Sequence, residues 1–416
     1  MKVLHFIPNL ETEAGSNIFR YKPALFESMS ERAEVHVLTL NKINETLGTA
    51  TAHCCSAADL IYLNKRSALA RQLLEINPDV VHIHAGWNFA AYMLQHWCVK
   101  NRKPVVISLD KRLEPWHIRH HSPVKLIKFV LFQRYMLRHA DAIHSVSEQE
   151  SKRLLRLGFP LKLVSRATLN DRIGQVRIFN QTATMTAEDM SAAMIRLYRK
   201  VLDSRPFLSM TATDRHAEDM LLAIGVAKGR AVTSFSEQEI ADVRSLDLNS
   251  WRRILLHAAD QGILDMVKSS CSQYNLSLPP VDVKNAERFT YCGEAKDRGE
   301  KTFRERKTAM LKADKQLSGT ELDICIKIVD VLAKVKSMRI KRADLSDLYQ
   351  TLRFNDYDET LTADKIHKLK IDRPTSRLFE ILKERYGLGE GFMFLEPLSD
   401  RKTKQLIKNL FKSDIQ

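Results

Sequence analysis

The chain has 416 residues, of which 44% are hydrophobic and 28% are charged, and this is the composition of ordinary globular domains. Its length suits two or three domains, and 14 glycines with 12 prolines are too few for a collagen-like or low-complexity protein. Lys and Arg number 65 against 50 Asp and Glu, so the net charge is +15. Such a charge favours an anionic partner: a nucleotide phosphate, a membrane surface or a nucleic acid.

The cysteines and the N-terminal segment indicate a cellular compartment. The six cysteines form no C-x-x-C pair and show no metal-ligand spacing with histidines, so we expect reduced thiols and no metal. The apolar run at the start ends at Pro8, too early for a signal peptide, and no stretch approaches ~18 uncharged apolar residues. The sequence therefore predicts a cytoplasmic protein.

The first 170 residues alternate short β-branched runs with helical patterns, which predicts βαβ units and a parallel sheet. The strand candidates are Val3–Ile7, Val35–Leu40, Val80–His84, Val105–Leu109, Ala142–Val146 and Leu161–Ser165. The helix candidates are Asn17–Ser30, Ser67–Ile76, Asn88–Asn101, Val124–His139 and Glu148–Leu157. The fold class is therefore α/β, with a Rossmann-like N-terminal domain at residues 1–170.

Beyond residue 180 the pattern becomes helical. Thr186 with Asp189, and Ser236 with Glu239, have the spacing of helix-starting capping boxes. Gly387 is expected to end a helix that opens near Pro374. We predict a helical region at 171–277, a linker or long loop at 278–305, and a helical C-terminal domain at 306–416.

A glycine-containing turn follows the first strand. Gly15, Ser16 and Asn17 precede a predicted helix, whose N-terminal N–H groups could hold an anion. The alternative is an ordinary turn, since the segment has neither a G-x-G-x-x-G pattern nor a P-loop lysine.

Polar residues also follow the strand Val80–His84. His82 and His84 alternate with Ile83 and so share one face of that strand. Open α/β sheets bind ligands at the carboxyl ends of their strands, where His84, Trp87 and Asn88 are expected. The alternative is that Trp87 packs on the sheet edge and Asn88 caps the next helix.

A charged run follows the strand Val105–Leu109. Asp110 is a candidate general base, and Lys111 or Arg112 could hold a phosphate. A solvated charged loop is the alternative.

The helix predicted at Val124–His139 is strongly apolar and carries cations at positions 125, 128, 134 and 138. A basic amphipathic surface can rest on anionic lipid. The alternative is a core helix of the α/β domain with a solvated basic face, and the two interpretations are compatible.

These segments together resemble the N-terminal domain of family-4, GT-B-type bacterial glycosyltransferases. The resemblance is carried by Lys2–Pro8, Gly15-Ser16, Asp79–His84, the L-E-P-W stretch at 113–116, and Ala140–Ser147. The L-E-P-W stretch is similar to that of capsule and surface-polysaccharide enzymes. The resemblance implies that this half binds the sugar acceptor, and it adds Glu114, Trp116 and Ser147 to the acceptor-binding candidates.

In that family a sugar passes from a nucleotide donor to a hydroxyl acceptor, without a metal or other cofactor. The resemblance places the donor on a second Rossmann-like half with paired glutamates. This chain has no two glutamates in E-x7-E spacing, and Asp110 and Lys111 stand where a histidine and a glycine are expected. The donor site is therefore expected to be degenerate or missing.

Two functions follow from this reading. The first is sugar transfer to a glycan or lipid-linked acceptor in bacterial surface or capsular polysaccharide synthesis, with peripheral contact at the inner face of the cytoplasmic membrane. The alternative is a catalytically inactive pseudo-glycosyltransferase whose helical half docks a protein partner. A nucleic-acid partner is not expected, because the charge divides as +9 over residues 1–170 and +6 over the rest and no nucleic-acid motif is found.

Overall fold

The architecture comes from a computed structural model. It describes residues 1–8, 22–40, 49–64, 66–85, 88–109, 127–145, 148–156, 164–165, 186–227, 235–289, 298–317, 319–337 and 339–411. The chain divides into two compact units: Met1–Ser209 with Lys284–Tyr291, and Met210–Val283 with Cys292–Gln416.

The first unit contains one parallel sheet of seven strands in the order β3-β2-β1-β4-β5-β6-β7. The strands are β1 Lys2–Ile7, β2 Glu34–Thr39, β3 Thr51–Cys54, β4 Val80–His84, β5 Val105–Ser108, β6 Ala142–His144 and β7 Val164–Ser165. Every residue of β4 and of β5 is buried, as expected for central strands covered on both faces. The predicted Rossmann-like sheet is confirmed. It contains one strand that was not predicted, β3, which is mostly exposed and four residues long.

One face of this sheet is covered by helices from the first 160 residues. They are α2 Ala57–Ile61, α3 Ala68–Ile76, α4 Phe89–Lys100, a π-helical turn at Phe129–Gln133 that runs into α5 Arg134–Arg138, and α6 Glu148–Arg156. Their apolar side chains, such as Leu73, Leu94 and Met136, pack on Phe6, Ile83 and Ile107 of the sheet in one buried core. Alternation along each strand places these sheet residues on one face and their neighbours on the other.

The other face is covered by α1 Lys22–Ser30 and α7 Ala187–Ser204. Met194, Tyr198 and Val201 of α7 are almost fully buried against the strands. The predicted capping box at Thr186 and Asp189 starts α7. The short helix α8 Pro206–Ser209 completes this unit.

The division between the units differs from the boundaries expected from the sequence. The region 171–277 was expected to be one helical block, but α7 and α8 belong to the unit of the sheet. Burial of the apolar side of α7 on the strands explains this placement. The expected linker at 278–305 is also divided: Lys284–Tyr291 belongs to the first unit, and a helix begins at Arg298.

The described part of the second unit is helical and contains no strand. Its helices are α9 Ala212–Val226, α10 Glu237–Arg244, α11 Leu248–Asp260, α12 Leu264–Gln273, α13 Arg298–Lys312, α14 Gly319–Lys336, α15 Arg342–Phe354, α16 Glu359–Lys368, α17 Asp372–Tyr386 and α18 Arg401–Phe411. The predicted capping box of Ser236 with Glu239 starts α10, and Gly387, with φ 68°, ends α17. A mainly helical C-terminal region is therefore confirmed.

A buried ion cluster joins three helices of the second unit. Both carboxylate oxygens of Glu218 lie 2.8 Å from Nδ1 of His257, and Oε2 lies 3.3 Å from Nη1 of Arg342. The carboxylate is fully buried, so these partners compensate a charge that would otherwise be costly in the core.

No helix among the described residues is long and apolar enough to cross a membrane.

Candidate functional site

Polar side chains collect on the α7-facing side of the sheet, toward the carboxyl ends of the central strands. His5 of β1 pairs in register with His82 of β4, and two residues further along β4, His84 pairs with Ser108 of β5. Ser108 pairs in turn with His144 of β6. Because register partners in a sheet point to the same face, these residues form one polar strip across four strands.

A chain of hydrogen bonds runs through this strip. The Nδ1 atom of His82 lies 2.6 Å from the Tyr198 hydroxyl, and its Nε2 atom lies 2.8 Å from Oγ of Ser108. The same Ser108 oxygen lies 2.7 Å from Nδ1 of His144. All four residues are buried, and burial raises the pKa of the Tyr198 phenol well above its usual value, so this hydroxyl stays protonated and can donate.

The two remaining histidines complete a compact cluster. Nδ1 of His5 lies 3.0 Å from Nε2 of His84, and the two rings stack with centroids 5.2 Å apart. The rings of His82 and His84 are 3.9 Å apart, which confirms that these two share a face. His84 is 7% exposed, while His5 and His82 are at most 1% exposed.

An acidic side chain anchors the amino-terminal end of the neighbouring strands. Oδ2 of Asp141 accepts a hydrogen bond from the backbone N–H of Val105 at 2.9 Å, and Oδ1 accepts one from Arg205 at 2.9 Å. Burial raises the pKa of Asp141, and Arg205 opposes that shift. This pair ties the end of α7 to the sheet and so helps to hold Tyr198 in place.

The described residues include only two of the site candidates, His84 and Asn88. His84 lies in the histidine cluster. The side-chain oxygen of Asn88 accepts a hydrogen bond from the N–H of Ala91 at 3.1 Å and caps α4, as the alternative interpretation expected. The other candidates lie outside the described residues: Gly15, Ser16, Asn17, Trp87, Asp110, Lys111, Arg112, Glu114, Trp116 and Ser147.

The helical segment 127–138 has two distinct sides. Phe132, Met136 and Leu137 are buried on the sheet. The opposite side exposes Ile127 (57%) and Leu131 (70%) beside the exposed cations Lys128, Arg134 and Arg138. We call these five residues the basic–apolar face.

Sequence reasoning missed three members of the polar strip, His5, Ser108 and His144, and the Tyr198 hydroxyl that bonds to it. They lie on four separate elements, and 116 residues separate His82 from Tyr198. The available signal was a polar residue inside each otherwise apolar strand, because such a residue needs a buried partner. The identity of the partner depends on strand order and on α7, which the local sequence does not encode.

Comparison with known proteins finds a family match within the first unit. Residues 18–165 match the model of the glycosyl transferase 4-like domain, and no curated protein matches the chain. Among solved structures, a Listeria monocytogenes protein assigned as a UDP-N-acetylglucosamine 2-epimerase is 12% identical; the similarity covers 61% of this chain and 71% of that one with a TM-score of 0.31. Residues 18–165, which include strands β2 to β7 of the Rossmann-like parallel sheet, are therefore similar to the glycosyl transferase 4-like domain.

Proposed function

We propose that the chain transfers a sugar from a nucleotide donor to a glycan or lipid-linked acceptor in bacterial surface or capsular polysaccharide synthesis. The observation that carries the proposal is the glycosyl transferase 4-like match at residues 18–165 on a parallel sheet whose polar side chains gather toward the carboxyl ends of the strands. Ligands bind at that edge in open α/β sheets. No metal or other cofactor is proposed for the transfer, and the nucleotide sugar is a substrate.

Asp110 is proposed as the base, with Lys111 and Arg112 on the donor phosphate. The three residues directly follow Ser108 and Leu109 at the end of a central strand. A carboxylate here would take the proton from the acceptor hydroxyl as it attacks the sugar. The two cations would stabilise the charge that develops on the leaving phosphate.

We also propose that the basic–apolar face rests on the inner surface of the cytoplasmic membrane. Its exposed Ile127 and Leu131 side chains could enter the headgroup region while Lys128, Arg134 and Arg138 contact anionic lipid. This placement would bring a lipid-linked acceptor near the first unit.

A second function is favoured by a specific observation. The described part of the second unit is helical and has no strand, whereas the resemblance implies a second Rossmann-like half for the donor. A chain without a donor site would keep the scaffold and bind a protein partner through its helical unit. Electrostatic stabilisation of the leaving group is usually the largest catalytic contribution, so loss of the donor half would abolish transfer.

A thermal-shift screen of the full chain against nucleotide sugars and free nucleotides distinguishes the two. A ligand at ~100 times its Kd stabilises the protein by ~2.7 kcal/mol. At roughly two to four degrees per kcal/mol for a domain of 150–250 residues, this shifts Tm by roughly five to eleven degrees. A shift with one nucleotide family supports a donor site, and loss of that shift in Arg112→Ala supports phosphate contact. An unchanged Tm across the whole panel contradicts the transfer proposal and favours the scaffold.

A further inference from the structure

The strongest unassigned feature is the set of three buried histidines, His5, His82 and His84. One ring nitrogen from each lies within 4.8 Å of those of the other two. A neutral imidazole offers one nitrogen lone pair, so three such rings provide a three-nitrogen ligand set. Imidazole ligands suit zinc, cobalt, nickel and copper, whereas magnesium and calcium prefer oxygen.

The sheet holds these ligands in position. His5 and His82 are register partners on adjacent strands, and His84 follows two residues later on the same face. The 3.0 Å between Nδ1 of His5 and Nε2 of His84 is close to the separation of two nitrogens on one tetrahedral zinc, about 3.3 Å for bonds of about 2.0–2.1 Å. The backbone therefore brings these two ligands close to the required spacing.

The surroundings of His82 resemble an outer shell of a metal site. Its Nδ1 atom is bonded to the Tyr198 hydroxyl and its Nε2 atom to the Ser108 hydroxyl. The nitrogen that binds an ion gives up its hydroxyl partner, and the other nitrogen keeps the hydroxyl that fixes the orientation of the ring. Such second-shell contacts are a regular feature of histidine metal ligands.

We propose that His5, His82 and His84 bind one transition-metal ion of the zinc class. The ion would cross-link β1 and β4. With Nε2 of His82 as the ligand, the contact of Nδ1 with Tyr198 would be kept and would hold α7 on the sheet. His5 and His84 share one hydrogen bond, so one of the two rings changes tautomer when both turn a lone pair toward the ion. The proposal concerns stability of the first unit and does not depend on the proposed transfer reaction.

Cobalt provides the direct test, because four-coordinate Co²⁺ absorbs visible light strongly and replaces zinc in such sites. The full chain, prepared without a polyhistidine tag and stripped with a chelator, is titrated with Co²⁺ and then with Zn²⁺. Metal retained after gel filtration is measured by mass spectrometry. We expect one cobalt per chain, displacement of the colour by zinc, and a higher Tm with zinc, because an ion that binds only the folded state stabilises it.

Single-residue variants locate the site. His84→Asn and His5→Gln should each weaken cobalt binding by at least about tenfold, since loss of a second-shell contact alone costs about 10–100-fold. The matched control is His53→Asn. Nδ1 of His36 also lies 3.0 Å from Nε2 of His53. The rings of this pair stack at 21°, against 22° for His5 and His84. Among the described residues, however, His36 and His53 are not part of a three-residue ligand group. The control should bind cobalt like the wild type.

Two results would overturn the proposal. One is a wild-type chain that retains no cobalt or zinc; the other is cobalt that remains in the cluster variants or is lost only in His53→Asn. If the variants fail to fold, X-ray absorption of the zinc-loaded wild type decides. Scattering from three imidazoles supports the site, whereas sulfur scattering would assign the ion to cysteines and contradict it.

Discussion

The hydroxyl of Tyr198 lies 2.6 Å from Nδ1 of His82, although 116 residues separate them in the chain. Both side chains are fully buried. This contact joins α7 to the central strand β4, and it places a helix from beyond residue 180 in the unit of the sheet. We expect loss of this hydrogen bond to lower the free energy of unfolding by a measurable amount.

Tyr198→Phe should destabilise the protein by about 1–3 kcal/mol, because the phenyl ring still fills the core while the buried hydrogen bond to Nδ1 of His82 is lost. Urea unfolding monitored by fluorescence and circular dichroism measures the change. Tyr62→Phe is the control, since Tyr62 is 74% exposed and surface changes usually stay within about 0.5 kcal/mol. Equal stability of the two variants would show that the hydrogen bond contributes little.

Asp110→Asn should remove sugar transfer if Asp110 is the base, because an amide cannot accept the proton of the acceptor hydroxyl. Folding stability should change by less than about 1 kcal/mol, and the nucleotide-induced shift in Tm should persist. Turnover is measured with the donor identified in the thermal-shift screen. Normal turnover of the variant would exclude Asp110 from that role.

Charge reversal tests the basic–apolar face together with Lys125, which precedes it in the sequence. Lys125→Glu with Lys128→Glu should weaken binding to phosphatidylserine vesicles at low salt by at least about 30-fold, since each lost cation is worth about 1 kcal/mol. Leu131→Ser should weaken binding further without changing the charge. Sedimentation with vesicles measures both effects.

The matched control for that experiment is Lys402→Glu with Lys404→Glu, which makes the same charge change at two exposed lysines of α18. If this pair reduces vesicle binding as strongly, the attraction reflects net charge alone. Unchanged binding in the first pair would leave the segment as a core helix with a solvated side.

Close packing of α9 on α12 gives a further prediction. A Cβ added at Gly225 would lie 2.5 Å from the backbone oxygen of Met266, so Gly225→Ala must force the helices apart. We expect a loss of about 1–3 kcal/mol from overpacking, despite the better helix propensity of alanine. Gly391→Ala, where nothing lies within 4 Å, should be close to neutral in the same thermal unfolding experiment.

The pair Arg377–Asp400 predicts a pH dependence in the second unit. Arg377 donates to both Asp400 oxygens, at 3.1 and 3.0 Å from Nε and 2.7 Å from Nη2, and Thr403 donates its backbone N–H at 2.9 Å. These contacts lower the pKa of Asp400 well below its usual value. Because the pKa of Asp400 is lower in the folded chain than in the unfolded chain, the ionised carboxylate stabilises the fold at pH values above the unfolded pKa of about 3.9. This stabilisation is lost as the pH falls toward the pKa of the folded chain.

Asp400→Asn should therefore lower Tm near neutral pH, and the difference from the wild type should shrink below about pH 4. The asparagine oxygen can still accept from Thr403, so the variant isolates the pair with Arg377. Asp356→Asn changes an exposed carboxylate of the same unit and serves as the control. A Tm difference that stays constant from neutral pH to below pH 4 would contradict the assignment.

The sequence by itself determined most of the strands and where several helices begin. Apolar runs such as Val80–His84 predict buried strands because a strand covered on both faces needs apolar residues throughout, and β4 has those bounds. Capping residues likewise predict where α7 and α10 begin, because a side chain three residues away satisfies the free N–H groups. The exposed strand β3 escaped prediction, since Thr51–Cys54 has little apolar pattern.

Only the tertiary structure decided which elements meet. Strand order brings His5 beside His82, and burial of the apolar side of α7 brings Tyr198 to the same histidine. Neither relationship follows from local spacing, because register and packing are set by the whole sheet and its covering helices. The physical reason is that periodicity specifies which face of an element is buried, whereas the partner of that face depends on chain topology.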